Sequence, residues 1–102
     1  MPVALVWSPT ALAHLRAIYD YIVADDSVAA LEVHDAIEQA AGLLEDNPRL
    51  GRPGRVRETR ELVVSSYPAY IVVYEIGRNA VHILAVMHGK QQWPARFGDR
   101  EA

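Results

Sequence analysis

No cysteine occurs in the 102 residues, so disulfides, a thiolate nucleophile and cysteine-bound metal are excluded, and stability must come from packing. That absence fits a reducing cytoplasm. The opening residues MPVALVW lack the basic n-region and small-residue cleavage site of a signal peptide, and no apolar run approaches a membrane span in length. The expectation is a soluble, cytoplasmic protein with no membrane contact. Internal repeats and low-complexity tracts are also missing. With 51% hydrophobic residues, the chain can bury one core and is too short for two, so residues 1–102 are read as a single domain. Its polar end, after about residue 95, is expected to be flexible.

Basic residues are scarce in the first half. Residues 1–47 hold eight acids and one base, Arg16, for −7, whereas residues 48–102 hold nine bases and five acids, for +4; together they give the net charge of −3. This asymmetry predicts a basic face for an anionic partner, either nucleic acid or an acidic protein segment. The net negative balance argues against a general nucleic-acid coat.

Hydrophobic periodicity divides the chain. Residues 3–7 (VALVW) read as a strand that stops at Ser8-Pro9. Ser8 suits an N-cap and Pro9 the first helical position, where its missing N–H costs nothing. Leu12, Leu15, Tyr19 and Ile22 then form one stripe of a helix running to about Ala24. After Asp25-Asp26-Ser27 a second helix places Ala30, Val33, Ile37, Ala40, Ala41 and Leu44 on one face, and it ends before Asn47-Pro48. The short break makes the two helices an antiparallel hairpin. Residues 48–58, with Pro48, Gly51, Pro53 and Gly54, read as a loop. Strands follow at residues 61–65, 70–76 and 80–88, joined by short turns that imply an antiparallel meander. The predicted fold is α+β, with an N-terminal strand and a two-helix hairpin packed on a small antiparallel sheet in the order β-α-α-β-β-β.

Signals for several chemistries are absent. Gly51 and Gly54 follow a helix and lack the strand-to-helix setting of a phosphate loop. His82 and His88 share a face by strand parity, but six residues of strand separate them by roughly 20 Å, too far to bind one ion. His14 and His34 read as ordinary helix histidines, so no metal or cofactor is expected. What remains is a basic cluster. Arg52, Arg55, Arg57 and Arg60 stand in front of the apolar run ELVV, and the stretch HGKQQWP adds His88, Lys90, Gln91, Gln92 and Trp93. A histidine, cations and an aromatic ring are what gripping or cleaving an anionic chain requires. A solvated arginine rim and a tryptophan covering the open end of the core would use the same residues.

Four stretches, WSPTALAHLRAIYDYI, NPRLGRPGRVRETRELVV, YIVVYEI and ILAVMHGKQQWP, resemble in order and spacing the RelE/ParE superfamily of type II toxins, in particular its ParE-like, plasmid-stabilisation branch. The resemblance implies a helical hairpin on a small sheet, as the periodicity does. It further implies a growth-inhibiting toxin neutralised by a co-expressed ParD-like antitoxin, which alone contacts operator DNA, in a hetero-tetramer or larger complex. ParE-like relatives inhibit DNA gyrase, whereas RelE-like relatives cleave mRNA on the ribosome without a metal. Leu62, Val63, Val64 and Ile71 are apolar where the ribonuclease pattern carries cations, which favours the gyrase inhibitor over the enzyme. For the ribonuclease alternative the candidate catalysts are Arg60, His88 and Lys90; a non-toxic antitoxin-binding module is the third reading. On the antitoxin side, Leu12, Leu15, Tyr19, Ile37 and Leu44 are expected to line an apolar groove. Arg52, Arg55, Arg57 and Arg60 are expected to form its anion-binding rim, and residues 88–93 to face the target.

Overall fold

A computed structural model describes residues 2–97 of the chain. In chain order the elements are β1 (Ala4–Trp7), α1 (Pro9–Val23), α2 (Ser27–Gly42), β2 (Arg52–Pro53), β3 (Arg60–Val63), β4 (Tyr70–Ile76) and β5 (Ala80–His88). A single 3-10 turn at Leu43–Glu45 prolongs α2. The α+β arrangement is the expected one, with two differences in the sheet. Its order is β1-β5-β4-β3-β2, and β1 lies parallel to β5 while the other pairs are antiparallel, so the sheet is mixed. Parallel neighbours need a long crossover, which the helical hairpin and the later strands supply. The other difference is β2, two residues of strand inside the segment that its prolines and glycines mark as loop.

Both helices start where their caps dictate. Ser8 Oγ accepts the Ala11 N–H at 3.0 Å, and Asp26 accepts from Val28 and Ala29 at 3.1 and 3.0 Å. Each cap satisfies N–H groups that have no partner inside the helix. The start of α1 also serves the sheet. Beyond the end of β1, the Ser8 hydroxyl donates to the Leu84 carbonyl and the Val86 N–H donates to His14 Nδ1, so α1 covers the edge of β5 that β1 leaves open.

On α2 the buried positions are those the period predicts, Ala30, Val33, Ile37, Ala40 and Ala41, with Leu44 in the turn beyond. On α1 the core-facing stripe is Ala11 and Leu15, with Ile18 and Ile22 beside them, and Leu12 is 51% exposed. These side chains meet Val72, Tyr74, Val81, Ile83 and Val86 of the sheet. The opposite face of the sheet has a core of its own. Ile71, Val73, Leu84, Ala85 and Met87 are covered by Val56 and by Trp93 and Phe97 of the C-terminal strap.

The strap carries the second core beyond the last strand. Phe97 is 5% exposed, so packing continues past residue 95, and residues 98–102 lie outside the described residues. A bulge makes a further correction. Val73 pairs with Ala85 and Tyr74 with Ile83, which leaves Leu84 as an extra residue in β5. An inserted residue reverses the alternation of faces, so His82 and His88, on one face by simple parity, lie on opposite faces.

Candidate functional site

The pleat of the sheet divides the arginine-rich segment. Arg52 pairs with Glu61 and Pro53 with Arg60 in the β2–β3 ladder. Across β3, Glu61 lies opposite Val73 of the second core and Arg60 opposite Tyr74 of the helix-side core. Successive strand residues point to opposite faces, so Arg60 stands apart from Arg52 and Arg55.

Glu61 is 2% exposed. Its carboxylate accepts from Arg52 Nη2 at 3.2 Å, from the Arg55 backbone N–H at 2.8 Å, and from Arg55 Nε and Nη2, each at 3.1 Å. Burial by itself pushes the Glu61 carboxyl pKa up, but the bonds from Arg55 and Arg52 outweigh it and hold the group below its ordinary range. The Arg55 guanidinium also lies over the Trp93 ring, 3.7 Å from its centroid, a cation–π contact. Trp93 in turn donates its indole N–H to the His88 carbonyl at 3.3 Å. Glu61, Arg55 and Trp93 therefore tie the loop after β2 to the strap. Arg57 is exposed on the same loop.

Arg60 has a different task. Its Nη2 donates to the carbonyls of Arg49 and Gly51. Tyr74, fully buried, accepts the Gly51 N–H at 2.9 Å and donates to the Pro48 carbonyl at 2.7 Å. Glycine is required at residue 51, because a Cβ there would stand 2.6 Å from the Glu61 carbonyl oxygen and 2.8 Å from the Tyr74 hydroxyl. Residues 48–51 are thus held as a fixed loop. Tyr74→Phe removes one hydroxyl and leaves Gly51 N–H and Pro48 C=O without their partner, an expected loss of about 1–2 kcal/mol. Thermal unfolding measures it, at ~4–8 °C per kcal/mol for a domain of this size; an unchanged midpoint would show the loop to be held by other means.

The ribonuclease candidates do not converge. Arg60 lies opposite Tyr74, and His88 opposite Tyr70, four residues apart on β4 or about 13 Å of strand. His88 belongs instead to a turn of its own. Its Nδ1 accepts the Lys90 N–H at 3.1 Å, its own N–H donates to Gln91 Oε1 at 2.7 Å, and the Tyr70 ring meets its imidazole edge-on at 5.7 Å. Gln91 and Gln92 line a cavity of about 320 Å³ at the start of α1, together with Thr10, His14 and Arg96.

Two apolar grooves flank α2. One, of about 560 Å³, runs between the helices over Leu12, Leu15, Tyr19 and Leu31. The Arg16–Asp20 pair at 3.2 Å and the His34–Glu38 pair at 3.4 Å stand at its sides. The other, of about 390 Å³, lies between α2 and β3 over Ala36, Ala40, Leu43, Leu50 and Leu62. Of the expected groove residues, Leu12, Leu15 and Tyr19 line the first. Ile37 and Leu44 line neither: both are fully buried against the sheet, because they continue the core stripe of α2. His34, Asp35 and Glu38 offer ligand atoms within 4.8 Å of one another, but His34 and Asp35 are neighbours and Glu38 follows one turn on along a helix surface, where charged residues commonly cluster.

Glu61, Tyr74 and Leu50 are the residues that sequence reasoning passed over. The one available signal was Glu61, a carboxylate directly before the apolar run Leu62-Val63-Val64.

Residues 5–93 match the family described as the ParE toxin of the type II toxin-antitoxin system, parDE. A relative from Sinorhizobium fredii (strain NBRC 101917 / NGR234), named "Putative toxin Y4kP", is 48% identical over 88 residues, 86% of this chain and 90% of its own. Toxin RelE2 of Caulobacter vibrioides (strain ATCC 19089 / CIP 103742 / CB 15) is 37% identical over 84 residues, 82% of this chain and 92% of its own. A solved structure described as the chromosomal ParDE TA system from P. aeruginosa matches with a TM-score of 0.76 at 26% identity, over 84% of this chain and 95% of the other. The family match reaches from β1 through both helices and the sheet to Trp93, and the chain belongs to the ParE toxin family of type II toxin-antitoxin systems.

Proposed function

We propose that the protein arrests bacterial growth by binding and inhibiting DNA gyrase in the cytoplasm, and that a cognate ParD-like antitoxin holds it inactive. The separation of Arg60 from His88 and Lys90 is the observation that favours an inhibitor over a nuclease. Cleaving a phosphodiester needs a proton-transfer group and cations around one phosphate. Here Arg60 is committed to loop carbonyls, and Leu62, Val63, Val64 and Ile71 supply no charge on the sheet. Arg52, Arg55 and Arg57 then serve a protein partner, and residues 88–93 face the target. Operator DNA is reached through the antitoxin, in a toxin–antitoxin hetero-tetramer or larger assembly.

The test is a gyrase supercoiling assay beside a ribosome-dependent mRNA cleavage assay on one preparation of toxin. Loss of supercoiling with intact mRNA is the expected result. Cleaved mRNA with normal supercoiling overturns it in favour of a ribonuclease centred on the His88–Lys90 turn and Tyr70. Failure of both assays, together with harmless expression of well-folded protein, leaves the non-toxic binding module.

A further inference from the structure

We infer that Leu50 is the anchor point for an extended, acidic segment of the cognate antitoxin. This rests on the reading that an antitoxin binds the chain, and it names the seat and chemistry of that contact. Leu50 is 50% exposed on the loop between α2 and β2. It stands between two depressions, lining both the α2–β3 groove and a second one of about 530 Å³ that includes Pro48 and Ile76. Leu43 and Ile76, 55% and 39% exposed, continue the apolar surface to either side.

The loop that carries Leu50 is held from beneath by groups costly to bury. The Tyr74 hydroxyl and the Arg60 guanidinium bind Pro48, Arg49 and Gly51, and the buried Arg60 Nε has no hydrogen-bond partner. Folding gains little from fixing an exposed leucine so firmly. Binding gains more, since a loop already ordered loses less entropy when a partner arrives.

Charge and edge geometry identify the occupant. Arg49 and Arg52 flank Leu50 in sequence. Arg49 is exposed with no ion pair among the described residues. The Arg52 side chain is 60% exposed and commits only Nη2 to Glu61. Both can take carboxylates, and arginine does so through paired, charge-assisted bonds. A nucleic acid would use the arginines but would gain nothing from Leu43, Leu50 and Ile76. Beside the groove, β2 covers only Arg60 and Glu61 of β3, so on the side away from β4 Leu62 and Val63 present an edge with no neighbouring strand among the described residues, which an extended segment can join.

The experiment measures binding of the purified cognate ParD-like antitoxin by calorimetry to wild-type toxin and to Leu50→Glu, Leu50→Ser, Arg49→Gln and Tyr21→Glu. Circular dichroism and thermal unfolding check that each variant is folded. Leu50→Glu should weaken binding by about 100-fold, as loss of a central anchor does, and Leu50→Ser by less. Arg49→Gln should weaken it by about 5-fold and flatten its salt dependence. Tyr21→Glu, 81% exposed on α1 and outside both grooves, should stay within about threefold. Tight wild-type binding with Leu50→Glu within about threefold of it would overturn the Leu50 seat alone. Loss of gyrase inhibition with antitoxin affinity intact would also overturn it, by giving the loop to the target. No binding by the wild-type chain would bring down the antitoxin reading and this inference together.

Discussion

Replacing Ile37 with alanine is expected to destabilise the protein by about 2–5 kcal/mol, the range for truncating a fully buried isoleucine. Ile37 sits in the middle of α2 with no solvent exposure and faces the cluster of Leu15, Leu44, Val72 and Ile83. Removing three carbons there leaves a void that helix and sheet, both hydrogen-bonded along their length, cannot easily close. The thermal midpoint should fall by ~4–8 °C for each kcal/mol lost. Leu12→Ala is the contrast, because its side chain is 51% exposed and the change should stay within about 0.5 kcal/mol. Periodicity puts both residues on apolar helix stripes, and only the packing separates them. Urea unfolding of the two variants decides the matter, and equal midpoints would show that α2 does not pack on the sheet through Ile37.

How far the fold can be read from sequence depends on how strong the local signals are. The six apolar positions from Ala30 to Leu44 repeat at helical spacing without a break, and all six are buried. Strands β4 and β5 have the bounds expected for them, since apolar runs there are punctuated by Pro68 and by Gly77-Arg78-Asn79. In α1 the expected stripe holds at Leu15 and Ile22, but Ala11 and Ile18 take the core positions expected of Leu12 and Tyr19. Ala11 carries the contact, yet its small side chain weighs less in a periodic pattern than Leu12. Leu84 carries no compositional mark of a bulge, so the faces of His82 and His88 could not be derived from parity. The candidate site follows the same logic. Its arginines are conspicuous, but Glu61 meets Arg52 and Arg55 across nine and six residues only because the chain folds back through a two-residue strand. Tyr74 resembles any apolar strand residue until the loop at residues 48–51 is laid against its hydroxyl.

Truncating Glu61 to alanine is expected to cost about 2–3 kcal/mol at neutral pH, because bonds from Arg55 and Arg52 are charge-assisted and the Arg55 N–H loses its acceptor. Solvent around the arginines, whose side chains are 44% and 60% exposed, keeps the loss below that of a wholly buried ion pair. The effect depends on pH in a definite direction. The carboxyl pKa in the folded protein lies below its ordinary value of 4.5. The stabilisation is therefore complete above that value and is lost as pH falls through the lowered one. Wild type should lose stability on acidification more steeply than Glu61→Gln, and the two unfolding midpoints should draw together as the wild-type group takes up its proton. Trp93 fluorescence reports the local consequence, since the guanidinium that lies over its ring is the one Glu61 binds. If either Glu61 variant shifts that emission while the sheet stays folded, Glu61 is what positions Arg52 and Arg55, whose side chains, 60% and 44% exposed, are then presented to a partner already ordered. If emission and acid sensitivity are both unchanged, Glu61 does not organise the cluster, and all four arginines from Arg49 to Arg57 are open to an anionic partner.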